Sequence, residues 1–152
     1  MNYNQLFSSF QDQQIMVALI GAGQFGETFI RQCRRISGMQ ISFVCDLQPE
    51  RARAALLAAG YDKSAFVSVG SNEEAATALN NGQIIITADY RLISGLALDC
   101  VVEATGSPEA AAQVGQITLM SGFHLVMITK EADIVVGPYL HKLAKAAGRH
   151  VT

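Results

Sequence analysis

Gly21, Gly23 and Gly26 stand in the order G-x-G-x-x-G, with Ala22, Gln24 and Phe25 between them. Residues of this type at this spacing can hold a pyrophosphate. Gly21 permits a tight turn. Gly23 removes the side chain that would keep phosphates off the backbone, and Gly26 lets a helix lie close on the preceding strand. The first N–H groups of that helix, with the partial positive charge at its start, then face the anion. Glycine-rich turns are common, so context decides. Here the motif follows the apolar run IMVALI and opens a stretch in which Phe25, Phe29, Ile30 and Cys33 recur at helical spacing.

Asp46 closes the next apolar run, twenty residues after Gly26. A carboxylate there accepts hydrogen bonds from ribose hydroxyls. It would repel a 2′-phosphate, so NAD is the expected cofactor and NADP the alternative. Arg51 and Arg53 stand close enough to dilute that preference. Ala104, Thr105 and Gly106 follow a later strand, and ligands of such folds collect outside the carboxyl ends of the strands. That turn is expected to border the nicotinamide half, through its backbone and the Thr105 hydroxyl. Glu103, just before it, is expected to be paired or half-buried, not catalytic. Thr129 and Lys130 follow the next strand on the same edge. Thr129 is a further expected cofactor contact. Lys130 is the candidate catalytic residue, able to reach a substrate carbonyl and ease charge developing on oxygen during hydride transfer. His124, His141 and His150 have no partner at metal or triad spacing. They read as structural, and no metal site is expected.

The elements that must position these residues alternate. Strands are expected over residues 15–20, 40–45, 83–87, 99–103 and 124–128. Helices are expected over 23–36, 49–59, 72–80, 107–120 and 137–147. Pro49, Pro108 and Pro138 each read as a helix start, where the missing N–H costs nothing. Such alternation means an α/β doubly wound parallel sheet with right-handed crossovers, the Rossmann NAD(P)-binding fold. Residues 60–82 are long for a connection and read as an insertion with its own helix. Residues 1–14, with Leu6, Phe7 and Phe10, read as an amphipathic extension ahead of the domain at 15–152. Residues 149–152 read as the opening of a sixth strand, so the sequence reads as truncated there.

The composition bounds the function classes. The 152 residues suit one domain. Half the residues are hydrophobic and 16% are charged, against roughly a quarter charged in an ordinary soluble domain. Disorder is excluded on that ground. No apolar run approaches the ~20 residues of a membrane span. A net charge of −2 gives no electrostatic case for nucleic acid. The N-terminus lacks the pattern of a signal peptide. Cys33, Cys45 and Cys100 are odd in number and widely spaced, as suits buried free thiols of a cytoplasmic protein.

Four stretches together resemble the nucleotide-binding domain of homoserine-dehydrogenase-like oxidoreductases. They are VALIGAGQFG (17–26), GQIIITADYRLI (82–93), DCVVEATGSPEAA (99–111) and HLVMITKEADIVVGPYL (124–140). The likeness spans residues 15–148 and is nearest to a bacterial branch with a C-terminal SAF domain. Some of that branch resemble 1-deoxyxylulose-5-phosphate reductoisomerase in activity. The resemblance implies a longer parent with a substrate and SAF region beyond residue 152, and a homo-oligomer acting on a small-molecule substrate. It matches Gly21, Gly23, Gly26 and Asp46 to the cofactor pattern. It matches Thr129 and Lys130 more loosely to a threonine-to-lysine segment near the nicotinamide. The 152-residue chain alone is expected to be inactive and to expose an apolar patch. Two other classes compete: a non-catalytic NAD(H) sensor, and a methyltransferase, disfavoured because no acidic residue precedes the glycine loop.

Overall fold

The computed structural model describes residues 14–152. The amphipathic extension at 1–14 therefore falls, but for Gln14, outside the described residues. The chain forms strand β1 (Ile15–Ile20), helix α1 (Gln24–Cys33), β2 (Met39–Cys45), α2 (Pro49–Ala58), β3 (Phe66–Ser68) and α3 (Asn72–Asn80). It continues through β4 (Ile84–Thr87), β5 (Cys100–Glu103), α4 (Pro108–Met120), β6 (His124–Met127) and α5 (Lys130–Ala147). All strands pair in parallel, in the order β3-β4-β2-β1-β5-β6. The chain thus runs outward from β1 on one side and returns to build the other side from β5.

Alternate residues of β1 explain the two layers of helices. Ala18 and Ile20 join a core with Ala75, Ala78 and Val114, whereas Val17 and Leu19 join one with Ile30, Cys33, Ala52 and Leu56. A strand buried on both faces must be apolar throughout, as β1 is from Val17 onward. The hydrophobic composition follows from this architecture.

Local chemistry sets the element ends. Ser71 accepts a hydrogen bond from the Glu74 N–H and starts α3, and Ser107 accepts one from the Ala110 N–H and starts α4. Pro49 and Pro108 each open a helix. Gly148, at φ 65°, ends α5 in the left-handed conformation.

Two features differ from the sequence expectation, and a third meets it only in part. The final helix starts at Lys130 rather than residue 137, and Pro138 lies inside it. Its acidic first turn, Glu131 and Asp133, is the start signal that the proline obscured. Ile134, Val135 and Tyr139 beside the proline are exposed, so water can take the carbonyl that Pro138 leaves unbonded. Residues 60–82 hold an edge strand, β3, as well as the expected helix. Three residues are too short for a periodic signal. Beyond α5, Val151 bridges in parallel to Leu125, and the Met127 N–H bonds the Thr152 carbonyl at 2.8 Å. This single bridge lies where a further strand is expected, at residues 149–152, but it is not a strand of the sheet.

Candidate dinucleotide-binding site

Sheet register brings the site together. Ile20 pairs with Cys45 on one side and with Glu103 on the other, and Glu103 pairs with Met127. The turns that follow β1, β2, β5 and β6 therefore leave one sheet edge side by side. The crossing from β1 to β5 is the switch point, where α/β sheets of this kind open a crevice.

The three glycines meet three different needs. Gly21 has φ +104°, and a Cβ there would lie 2.6 Å from the carbonyl carbon of Ala104. The first turn can thus press against the second only without a side chain. A Cβ on Gly26 would collide with the Gly21 carbonyl oxygen and stand 3.2 Å from Leu19 Cδ2. Gly26 therefore sets the close packing of α1 on β1. Gly23 is the opposite case: a Cβ would meet nothing within 4 Å. The space beside Gly23 is open, as an approaching phosphate requires.

Among the described residues no side chain caps helix α1. Gly23 supplies no side chain to its first turn. The N–H groups of Gly23, Gln24 and Phe25 have no hydrogen-bond partner among the described residues. Four free N–H groups at a helix start are normally met by a cap, water or a ligand, and an exposed start of this kind suits an anion.

Asp46 ties this loop to β2. Its Oδ2 accepts the Ala22 N–H at 2.8 Å, and its Oδ1 accepts the Gln48 N–H at 2.9 Å. An ionised carboxylate has about four acceptor positions, so capacity remains for ribose hydroxyls. The two arginines part ways. Arg53 bonds Ser68 Oγ at 2.8 Å, pairs with Glu50 at 3.4 Å and lies over the Phe66 ring. Arg51 instead lines a cleft of about 480 Å³ with Ala22, Gly23, Gln24 and Glu27.

The second turn is built around Glu103, which is fully buried. It has no cationic partner among the described residues. Sequence reasoning underrated it, expecting a paired or half-buried group. Its Oε1 accepts the Thr105 N–H at 2.7 Å, the Thr105 hydroxyl at 2.6 Å and the Thr129 hydroxyl at 3.0 Å. Its Oε2 accepts the Thr129 N–H at 3.3 Å. Thr105 thus turns its hydroxyl proton inward and not toward the crevice. Ala104 abuts Gly21, Gly106 is exposed, and Thr129 is buried. Lys130 is exposed at the first position of α5, with no ion pair among the described residues. That is the unfavourable end of a helix for a cation.

Other titratable groups stand apart from this chemistry. All three cysteines are free. Burial pushes the Cys45 thiol up to about 12, helped by Asp46 and Asp89, and pushes Cys33 and Cys100 to about 11. His124 lies at the far end of β6, stacked on His150. No three His, Cys, Asp or Glu side chains among the described residues could hold a metal ion, and no described helix is long and apolar enough to cross a membrane.

An open glycine loop at a helix start, a carboxylate at the end of the next strand and a switch point in a parallel sheet are the features of the dinucleotide-binding class of α/β domains. The chain belongs to the homoserine dehydrogenase NAD-binding domain family, whose model matches residues 21–152. No curated protein matches it. Among solved structures it is similar to a homoserine dehydrogenase from Thiobacillus denitrificans, with 21% identity and TM-score 0.68 over 92% of this chain and 29% of that one. It is also similar to an oxidoreductase from Agrobacterium radiobacter solved with NAD+, L-tartaric acid and magnesium (15% identity, TM-score 0.67, 91% of this chain and 34% of that one). A third is myo-inositol dehydrogenase from Lactobacillus casei, solved with NAD(H) and myo-inositol (14%, TM-score 0.66, 91% and 36%). The chain spans about a third of the length of these neighbours. It is an NAD-binding domain of the oxidoreductase type.

Proposed function

We propose that this domain serves an oxidoreductase related to homoserine dehydrogenase, acting on a small hydroxy or oxo substrate. The observation that carries the reading is the uncapped start of α1 facing the open space at Gly23. Gly21, Ala22, Gly23, Gln24, Phe25 and Gly26 would hold the pyrophosphate, and Asp46 the adenosine ribose. Ala104, Thr105, Gly106 and Thr129 would wall the nicotinamide side. When bound, the nicotinamide supplies hydride chemistry. The role left to the chain is to orient that ring and exclude water from its face. Lys130, exposed beside Thr129 and without an ion pair among the described residues, is the candidate to hold a substrate oxygen and steady charge on it.

NAD is favoured over NADP because Asp46 would repel a 2′-phosphate, and because Arg53 is engaged elsewhere. Arg51 is the residue that could soften this preference. A SAF-type substrate region elsewhere in a longer protein fits the fraction of each neighbour that the chain covers. Ile134 and Val135, exposed on α5, support burial against such a region or a second copy. Three free thiols suit a reducing compartment, so a cytoplasmic location is retained.

Calorimetric titration with NADH and NADPH tests the reading. Tighter binding of NADH is expected, and failure of both to bind below millimolar would refute it. A sensor role stands as the alternative. If Lys130→Ala left turnover of the full-length parent protein unchanged, the catalytic assignment of Lys130 would fall.

A further inference from the structure

We propose that Glu103 is a positioning residue for the nicotinamide half of the bound dinucleotide, acting through the Thr105 and Thr129 hydroxyls. This rests on the reading that the second turn borders the nicotinamide. A buried carboxylate is costly unless its lone pairs are met, and Glu103 meets its own with four donors, two of them hydroxyls. A threonine hydroxyl has one proton to give. The shortest contact of each proton is to Glu103, although Thr105 Oγ1 also lies 3.3 Å from the Ser107 carbonyl, and each Oγ1 is left able to accept. Thr129 Oγ1 then accepts the Gly106 N–H at 3.0 Å, and Thr105 Oγ1 accepts the Ser107 N–H at 3.2 Å.

One carboxylate thereby consumes three consecutive N–H groups, those of Thr105, Gly106 and Ser107, directly or through a hydroxyl. With these backbone N–H groups spent, the backbone of the turn among the described residues offers a ligand its carbonyl oxygens. An edge of acceptors suits a donor such as a carboxamide NH2 and repels a phosphate or carboxylate. The same knot engages the Thr129 side chain, which makes no cap bond to α5. An apolar residue could fill the end of β5 without the burial cost, but it could not set the hydroxyl directions.

Glutamine keeps the shape of Glu103 but brings a donor NH2 among four donors. In Glu103→Gln the hydroxyls must turn and N–H groups of the turn come free. Four measurements on the 152-residue chain separate the outcomes: NADH affinity, affinity for ADP (which has no nicotinamide), the fluorescence of bound NADH, and Tm. The expected result is NADH binding weakened ~10-fold or more, ADP binding changed less than ~2-fold, and altered fluorescence of bound NADH. Thr129→Val removes one arm only and should show the same split at smaller size, which keeps the test decisive if Glu103→Gln folds poorly. Parallel loss of NADH and ADP binding with falling Tm, or no change in either ligand, overturns the proposal. If the unaltered protein binds ADP but not NADH, the proposal falls while the phosphate cradle stands. If it binds neither, the dinucleotide site itself is refuted.

Discussion

The turn after β1 and the turn after β5 lie side by side, joined by the Ala104 N–H on the Ile20 carbonyl at 2.7 Å. They treat their backbone N–H groups in opposite ways. The glycine loop leaves Gly23, Gln24 and Phe25 unbonded among the described residues, beside space that no side chain fills. The Thr105 turn spends its N–H groups on Glu103 and two hydroxyls. One sheet edge therefore offers donors at one position and acceptors at the next. A dinucleotide has that polarity, with anionic phosphates in its middle and a carboxamide at its end.

Substitutions at the contact between the turns test this contrast. Gly21→Ala should have the largest effect. A Cβ there meets the Ala104 backbone at a φ that side chains rarely adopt, a cost of about 3 kcal/mol or more. Tm should fall by roughly 6–12 °C at this chain length, read by calorimetry or circular dichroism. A Gly21→Ala protein as stable as the original would show that the turns do not press together. Gly106→Ala should cost less. Gly106 also has positive φ (+70°), but its Cβ would meet open space, leaving a conformational cost of roughly 1–2 kcal/mol. The difference between the two melting temperatures measures how much of the Gly21 effect comes from contact.

The smallest expected effect lies at the opposite end of β6, where pH changes should leave both turns untouched. His124 Nδ1 accepts the His150 N–H at 3.1 Å, which a protonated ring cannot do. Partial burial holds His124 below the usual histidine range, and Arg149 and His150 add to this while Asp99 opposes it. The unfolded chain then binds more protons as pH falls through that range, so stability declines on acidification. A slight drop in Tm between pH 7.5 and 5.5 is expected, and His124→Gln should flatten it. NADH affinity per folded molecule should change little over the same range.

Much of the first turn was legible in the sequence because each requirement there is local. Three glycines at fixed spacing, an apolar run before them and Asp46 after them state the loop and its sheet in a short stretch. The second turn was only partly legible. Thr105 and Thr129 were identified by their places after strands. Glu103 was underrated because the residue that completes its bonds, Thr129, lies 26 positions away. Strand β3 is too short for periodicity to mark. The start of α5 was missed because Pro138 is a strong local signal, overridden where solvent can meet the carbonyl it frees.

The most direct measurement pairs NADH affinity with thermal stability in Gly23→Ala. Its Cβ meets nothing within 4 Å in the protein, while a methyl there would stand where phosphates approach the α1 start. NADH binding should weaken by ~10-fold or more, with Tm held within about 2 °C. Unchanged NADH affinity at unchanged Tm would contradict a phosphate site at this loop.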